Sequence, residues 1–470
     1  MTALEQLAGR RILFLNWRDQ ANPHAGGAEA YTEQIARRFA GAGAQVTLVT
    51  SAFAESRPYD WANEYLVVRE GGRLGVYLAA ARHLRRYARQ YDGIVDCQNG
   101  IPFFAPFWAP SASAVVCVVH HVHQRQFGMY FRWPLSQVGR MLEGRVTRAV
   151  YRDAPFVAVS PSTRAEMRHQ LGLRLPIHVV PNGVEPLPPS QVPRATRPRI
   201  AVVTRLVPHK RLHLLVQAVP ALLERWPDLR VDIAGTGPAR ARLMAAVRDR
   251  GLEHNVFLPG RVSEQGKSDL LSRAWLTVAP SLAEGWGLTV LEANTCGTPT
   301  VAFDVPGLRD SVLDGRTGWL VPSGSSLVTT LTNALDLLSD PARRQLVAGR
   351  AKSWACRFTW DSSAERLARV LVQEMTRRDR GTPSRRQAID LATVASWPPE
   401  DAPAVQASLG SGLRMTDAFS AGEDGPRVLL TGCDEVGAAA ALQRAGAPAA
   451  KLTLATSTQV LCGTGEDELA

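Results

Sequence analysis

The chain has 470 residues, which at roughly 150 per domain implies about three domains, or two large ones with an appendage. Hydrophobic residues make up 45% and charged residues 21%, a core-forming composition that excludes a disordered chain. No run approaches the roughly 18 apolar residues that a membrane span needs, and the net charge of +11 points to anionic partners.

The opening MTALEQLAGRRILFLNW passes straight into a strand-like run with no signal-peptide pattern. The cysteines at 97, 117, 296, 356, 433 and 462 form no C-x-x-C pair and fit neither a disulfide framework nor a zinc knuckle. Both features lead to the expectation of a reducing cytoplasm.

RILFLN (Arg11–Asn16) predicts a strand, followed by a loop to Gly26 and Gly27 and a helix over Ala28–Ala40 that Gly41 and Gly43 end. QVTLVTS is the next strand, and a βαβ opening of this kind imposes a parallel sheet with helices on both faces. Further strands are expected at YLVVRE, GIVDCQ, AVVCVVH, FVAVS and IHVV, making a first domain of residues 1–185. Prolines 181, 186, 188, 189, 193 and 198 then predict an interdomain linker, assigned to 186–198.

The pattern restarts over residues 199–350 with RIAVVTR, a helix at His213–Arg225, VDIAG, a helix at Ala239–Gly251, NVFLPG, a helix near Glu264–Ala274, WLTVAPS and TVAFD. The fold class is therefore α/β, two Rossmann-like doubly wound domains facing across a cleft. Residues 351–380, with a Trp- and Arg-rich amphipathic stretch at Ser353–Arg378, are expected to return to the first domain. Residues 381–470 form an Ala/Gly/Pro-rich tail with a short α/β appendage: a strand, loop and helix over Gly425–Ala447, then the strand KLTLATS.

The densest chemistry lies in SLAEGWGLTVLEANTCG (Ser281–Gly297). Glycines at 285 and 287 let backbone N–H groups approach a ligand, and the helix start behind them attracts anions. Glu284 precedes the helix and Glu292 lies inside it, so the two carboxylates can face one ligand from two sides. Helix-terminus electrostatics is the alternative reading, and it accounts for Glu284 better than for Glu292. Arg205 and Lys210 in VVTRLVPHKRL sit at the carboxyl end of a strand. Two cations there can stabilise the charge that develops on a departing diphosphate. Solvated loop cations are the alternative, and the shared sheet edge with Glu284 and Glu292 favours function.

The R-x4-K pair followed by E-G-W-G-L-x3-E-A resembles the retaining nucleotide-sugar glycosyltransferases of family 4, which have the GT-B architecture. The likeness spans roughly residues 10–376. It implies that Arg205 and Lys210 hold the donor diphosphate and that Glu284 contacts donor sugar hydroxyls, with the amides of Gly285, Trp286, Gly287 and Leu288 nearby. Glu292 would then accept from the ribose, and Arg261 and Val262 would sit beside the nucleobase. His120, immediately after AVVCVV, would touch the donor sugar. Arg211 departs from the pattern, which commonly has glycine after the lysine.

Gly26 and Gly27 let the backbone approach the diphosphate or the acceptor, or else mark a plain helix-start turn; they form no dinucleotide fingerprint. In an extended segment His121 and His123 share a face while His120 points away, so VVHHVH is not read as a metal site. The resemblance implies sugar transfer from a nucleoside diphosphate donor to an acceptor hydroxyl with retention, with no metal or other cofactor. The absence of a second carboxylate pair favours front-face attack over double displacement. A sugar phosphorylase or epimerase on the same scaffold, or a non-catalytic sugar-nucleotide-binding protein, stays open as an alternative.

The acceptor could be a lipid-linked sugar, a glycan or a small metabolite, and no nucleic-acid module is recognisable. Arg125, Arg132, Arg140, Arg145 and Arg148 near Phe127, Tyr130, Phe131 and Trp133 suggest a basic, aromatic surface. It could meet an anionic bilayer at the inner face of the cell membrane or a phosphorylated acceptor, or be a solvated helix face. VLLTGCDEVG in the tail distantly resembles the first strand and glycine loop of an S-adenosylmethionine-dependent methyltransferase, read here as a remnant.

Overall fold

The computed structural model describes residues 2–62, 64–111, 113–124, 126–173, 177–379, 392–409, 417–422, 425–431 and 435–455. The chain divides into two compact units: Met1–Pro181 with the chain from Asp361 onward, and Asn182–Trp360.

The first unit holds an eight-stranded sheet of β1 (Arg11–Leu15), β2 (Gln45–Thr50), β3 (Tyr59–Ala62), β4 (Tyr65–Arg69), β5 (Gly93–Gln98), β6 (Ala114–Val119), β7 (Phe156–Ala158) and β8 (Ile177–Val179). Their order is β3-β4-β2-β1-β5-β6-β7-β8, parallel except for the edge strand β3. Every residue of β5 and β6 is buried, as a parallel strand covered on both faces requires. The helix Gly27–Gly41 buries Tyr31, Ile35 and Phe39 at helical spacing, and Phe39 meets Phe14 edge-on at 5.6 Å. The helix Trp360–Asp379 also belongs to this unit: Leu371 and Met375 lie over Gly93, where any Cβ would come within 2.7 Å of the methionine methyl. Near its start, the Glu365 carboxylate accepts the N–H groups of Ala3 and Leu4.

In the second unit β9 (Arg199–Val203), β10 (Arg230–Ala234) and β11 (Val256–Gly260) form one parallel set, and β12 (Thr277–Ala279), β13 (Thr300–Phe303) and β14 (Gly318–Val321) form another. A parallel bridge between Ile200 and Leu276 joins them, giving the order β11-β10-β9-β12-β13-β14. In local numbering this is 3-2-1-4-5-6, the dinucleotide-fold order, in which the direction of winding reverses between β9 and β12.

The proline-rich stretch is not a free spacer, because its polar groups are tied to the second unit. Ser268 Oγ donates to the Pro188 carbonyl (2.6 Å), and Trp275 Nε1 donates to that of Ala195 (2.7 Å). The Arg194 guanidinium donates to the carbonyls of Cys296 (3.1 Å) and Gly297 (3.0 Å), just past the helix Leu288–Thr295. A cation at that end also complements the helix dipole. Residues 353–355 likewise end a helix of this unit, Pro341–Ala355, and the return to the first unit begins only at Asp361.

The tail forms a separate antiparallel sheet of β15 (Ala392–Ser396), β16 (Ala418–Gly422), β17 (Gly425–Thr431) and β18 (Lys451–Leu454), in the order β16-β17-β15-β18. The strand, helix and second strand read from the sequence are present, but β17 is antiparallel to both neighbours. A methyltransferase-type opening strand belongs to a parallel sheet, so that resemblance does not extend to the pairing. The loop after β17 lies outside the described residues, as do Arg125, Cys433 and Cys462. Cys97, Cys117, Cys296 and Cys356 are free thiols.

Candidate functional site

Open sheets of this order bind ligands where the winding reverses, at the carboxyl ends of the strands. In the second unit the two loops leaving β9 and β12 meet there. Arg205 follows β9 on an exposed loop, and Lys210 ends the short turn Pro208–Lys210. The Leu282 N–H donates to the His209 carbonyl (2.9 Å), tying one loop to the other. Lys210 Nζ is bonded to Glu284 Oε1, and Ser281 Oγ donates to the same oxygen at 2.7 Å. Burial alone would raise the Glu284 carboxyl. The Lys210 ammonium, with hydrogen bonds from Lys210 and Ser281, outweighs that and holds it below the usual carboxylate range. Glu284 is therefore an anion, with acceptor capacity left for a ligand hydroxyl.

Arg211 has φ 48°, the left-handed region that favours glycine. Its Nε donates to the Pro280 carbonyl (2.9 Å) and an Nη to that of Ser281 (3.1 Å), and the guanidinium lies 4.7 Å from the Phe303 ring centroid. The backbone thus has a geometry that glycine adopts freely, and the side chain braces the loop that carries Ser281 and Glu284.

Gly287, at φ 87°, turns the chain into the helix Leu288–Thr295 and leaves that helix's first N–H groups facing the loop. Gly307 lets the neighbouring loop close on it, since a Cβ there would lie 2.3 Å from the Glu284 carbonyl. The Trp286 side chain is 2% exposed and packs edge-on against Phe358 at 5.0 Å. Only its backbone can serve a ligand. Glu292, on the helix, is bonded to Lys267 Nζ at 3.0 Å, and Lys267 also holds Glu264 at 2.8 Å. Each glutamate of the motif thus has its own lysine. Arg261 is exposed and Val262 half-buried on the loop after β11.

His120 and Gly27 belong to the first unit. Gly27 is the first residue of its helix, whose entry is fixed by Glu29: its carboxylate accepts the Gly26 N–H (2.7 Å) and Arg18 Nε (2.9 Å). His120 follows β6, is 6% exposed and meets the ring of Tyr31, from that same helix, edge-on at 5.0 Å. Its Nε2 is buried with no hydrogen-bond partner. Burial, reinforced by the neighbouring His123, pushes the imidazole down to about 3, so it is neutral at physiological pH.

Ser281 and Lys267 escaped the sequence reading. Ser281, three residues before Glu284, had a spacing that could have flagged it. Lys267 lies 25 positions from Glu292, and only the fold brings them together.

Fold and site together define a GT-B glycosyltransferase. The Glycosyltransferase Family 4 model matches residues 25–186 and the Glycosyl transferases group 1 model matches residues 185–354. The chain is 31% identical over 274 residues to the GDP-mannose-dependent alpha-(1-6)-phosphatidylinositol monomannoside mannosyltransferase of Mycolicibacterium smegmatis, covering 54% of this chain and 69% of that protein. It is 32% identical over 301 residues to the alpha-D-kanosaminyltransferase of Streptomyces kanamyceticus, covering 63% and 70%. The sucrose-phosphate synthase structure from Thermosynechococcus elongatus superposes with a TM-score of 0.65 at 20% identity, over 77% of this chain and 98% of that one, a likeness of fold. The chain belongs to the family 4 glycosyltransferases.

Proposed function

We propose that this glycosyltransferase takes a sugar from a nucleoside diphosphate sugar and passes it to an acceptor hydroxyl with retention of configuration and without a metal ion. The observation that carries the proposal is the convergence of Lys210 and Ser281 on Glu284 where the strand winding reverses. In this reading Arg205 and Lys210 hold the diphosphate and the amides of Gly285 to Leu288 add donors. Glu284 accepts from the sugar hydroxyls, and Glu292 leaves Lys267 to accept from the ribose. Arg261 and Val262 border the base, and Gly27 lets the backbone of the first unit approach the ligand.

As the glycosidic bond breaks, negative charge grows on the leaving phosphate and the two cations stabilise it; each charge-assisted hydrogen bond contributes about 1.5–3 kcal/mol. With its pKa near 3, His120 is too weak a base to take the acceptor proton. That favours the leaving phosphate as proton acceptor on the same face of the sugar, with the free His120 Nε2 as a neutral partner for a sugar hydroxyl.

The acceptor is proposed to be a lipid-linked sugar, a glycan or a small metabolite. The M. smegmatis relative's name specifies a phosphatidylinositol mannoside, which makes lipid-linked acceptors the first to try. Free, scattered thiols support a cytoplasmic setting.

The test is thermal unfolding against UDP-, GDP-, ADP- and dTDP-sugars, with GDP-mannose first because that relative's name specifies it. A donor at a hundred times its Kd stabilises the native state by about 2.7 kcal/mol and raises the melting temperature. Phosphate-dependent sugar cleavage with no nucleotide released would contradict transfer and support the phosphorylase alternative.

A further inference from the structure

The helix Leu135–Met141, which continues through a wider turn at Leu142–Val146 into Thr147–Val150, has inverted amphipathicity. Its buried positions are Ser136, Gly139, Glu143 and Thr147, all small or polar and spaced along one helical face. Gly139 fixes this orientation, because a Cβ there would come within 2.6 Å of the Phe127 ring. In the first two turns the apolar residues consequently point outward: Leu135 is 63% exposed, Val138 44% and Met141 46%, whereas Leu142, Val146 and Val150 further along are half-buried. Trp133, just before the helix, is 79% exposed. A helix surrounded only by water places these residues the other way round.

Charge identifies the apolar medium outside. Between His120 and Arg152 the sequence has five arginines and one acid, Glu143. That acid is fully buried, accepting from the His123 N–H (2.6 Å) and from Gln124 Nε2 (2.8 Å). Arg145 and Arg148 continue the outward stripe from Val138 and Met141 at the i, i+3, i+7, i+10 spacing, and both are exposed. Arg132 is exposed beside Trp133, and none of these three arginines has an acidic partner among the described residues. A second copy of the chain would bring like charges together across such a face, whereas anionic headgroups complement it. Arg140 takes no part, since its Nε is spent on the Gln124 carbonyl (2.8 Å).

We propose that this face is a docking surface for an anionic lipid bilayer: Trp133, Leu135, Val138 and Met141 enter the interface while Arg132, Arg145 and Arg148 meet the headgroups. Its depth is that of an interfacial helix, about 5–10 Å into the headgroup boundary. No described helix is long and apolar enough to cross a membrane, so attachment through this face is peripheral.

Co-sedimentation of the full chain with phosphatidylglycerol–phosphatidylcholine vesicles tests the proposal. Binding is expected to the mixed vesicles, to weaken in high salt, and to be much lower with phosphatidylcholine alone. The double variant Trp133→Ser, Val138→Ser should lose about tenfold or more in vesicle affinity, as expected for removing two inserted side chains. Arg145→Glu with Arg148→Glu should do the same without touching the apolar stripe. All four residues are exposed, so melting temperatures should match wild type. The donor's effect on melting reads the second unit and should also be unchanged, which keeps failure of the donor-site reading separate from failure of this one. Unaltered vesicle binding by both variants, no binding by wild type, equal binding to neutral vesicles, or a dimer that the first variant dissolves would each overturn the proposal.

Discussion

Arg211 donates hydrogen bonds from its guanidinium to the carbonyls of Pro280 and Ser281 while its own backbone sits in the left-handed region. The side chain stabilises the loop and the backbone strains it, and substitution separates the two effects. Arg211→Ala should lose the brace and keep the strain, destabilising the second unit by about 1–3 kcal/mol. Arg211→Gly also loses the brace but removes the strain, and should recover about 1 kcal/mol of that. Urea denaturation of the two variants checks the order, and equal stabilities would contradict it.

Lys210→Met leaves Glu284 half-buried without its cation. The carboxyl pKa should rise, since the ammonium is what outweighs the effect of burial. At present the folded value lies below the unfolded one, so this group's contribution to stability is full above the ordinary carboxylate range and is lost as pH falls through it. In Lys210→Met that acid-sensitive component should shrink, and kcat/KM should fall by about a hundredfold or more if Lys210 holds the diphosphate as proposed. Steady-state kinetics and acid titration of stability read the two effects separately.

His120 has the opposite chemistry and the same pH direction. The unfolded imidazole takes up a proton near 6.5 and the folded one only near 3. The stability it contributes is complete above about 6.5 and is lost as pH falls toward 3, at up to about 1.4 kcal/mol per pH unit. Wild type should therefore lose stability relative to His120→Asn between pH 6 and pH 4. Parallel curves would show that the imidazole is not held neutral.

Asp96, on β5, is pushed up to about 6 by burial, against hydrogen bonds from the Tyr151 hydroxyl and the N–H groups of Phe103 and Ala105. Its contribution is full below about pH 4 and is lost as pH rises through 6. Tyr151→Phe removes one donor to the ionised form, so its deficit should grow with pH and reach about 1.5–3 kcal/mol at pH 8. Chemical denaturation at pH 5 and pH 8 measures the difference.

Hydrophobic runs placed β1, β2, β9 and β10 well because a strand buried on both faces announces itself locally. Glycine spacing and charge likewise marked the loops after β9 and β12, where Arg205, Lys210 and Glu284 lie. What stayed hidden depends on distant partners. The proline-rich stretch looks like a spacer until Arg194 finds the Cys296 and Gly297 carbonyls about a hundred residues away. Trp286 looks like part of the ligand loop until Phe358 takes its side chain. The inverted helix was visible as arginines among aromatics, yet which side faces out was decided by the Gly139–Phe127 contact. The edge strand β3 and the antiparallel pairing of β17 likewise depend on neighbours that no local pattern names.

The central claim is that Glu284 binds the sugar that is transferred. Its most direct test is the rate at which nucleoside diphosphate is released from the donor, with acceptor present, by wild type and by Glu284→Gln. The substitution keeps shape and removes charge. The account predicts that turnover falls by about a hundredfold or more, while the nucleoside diphosphate alone still raises the melting temperature. Turnover within a few-fold of wild type would contradict it.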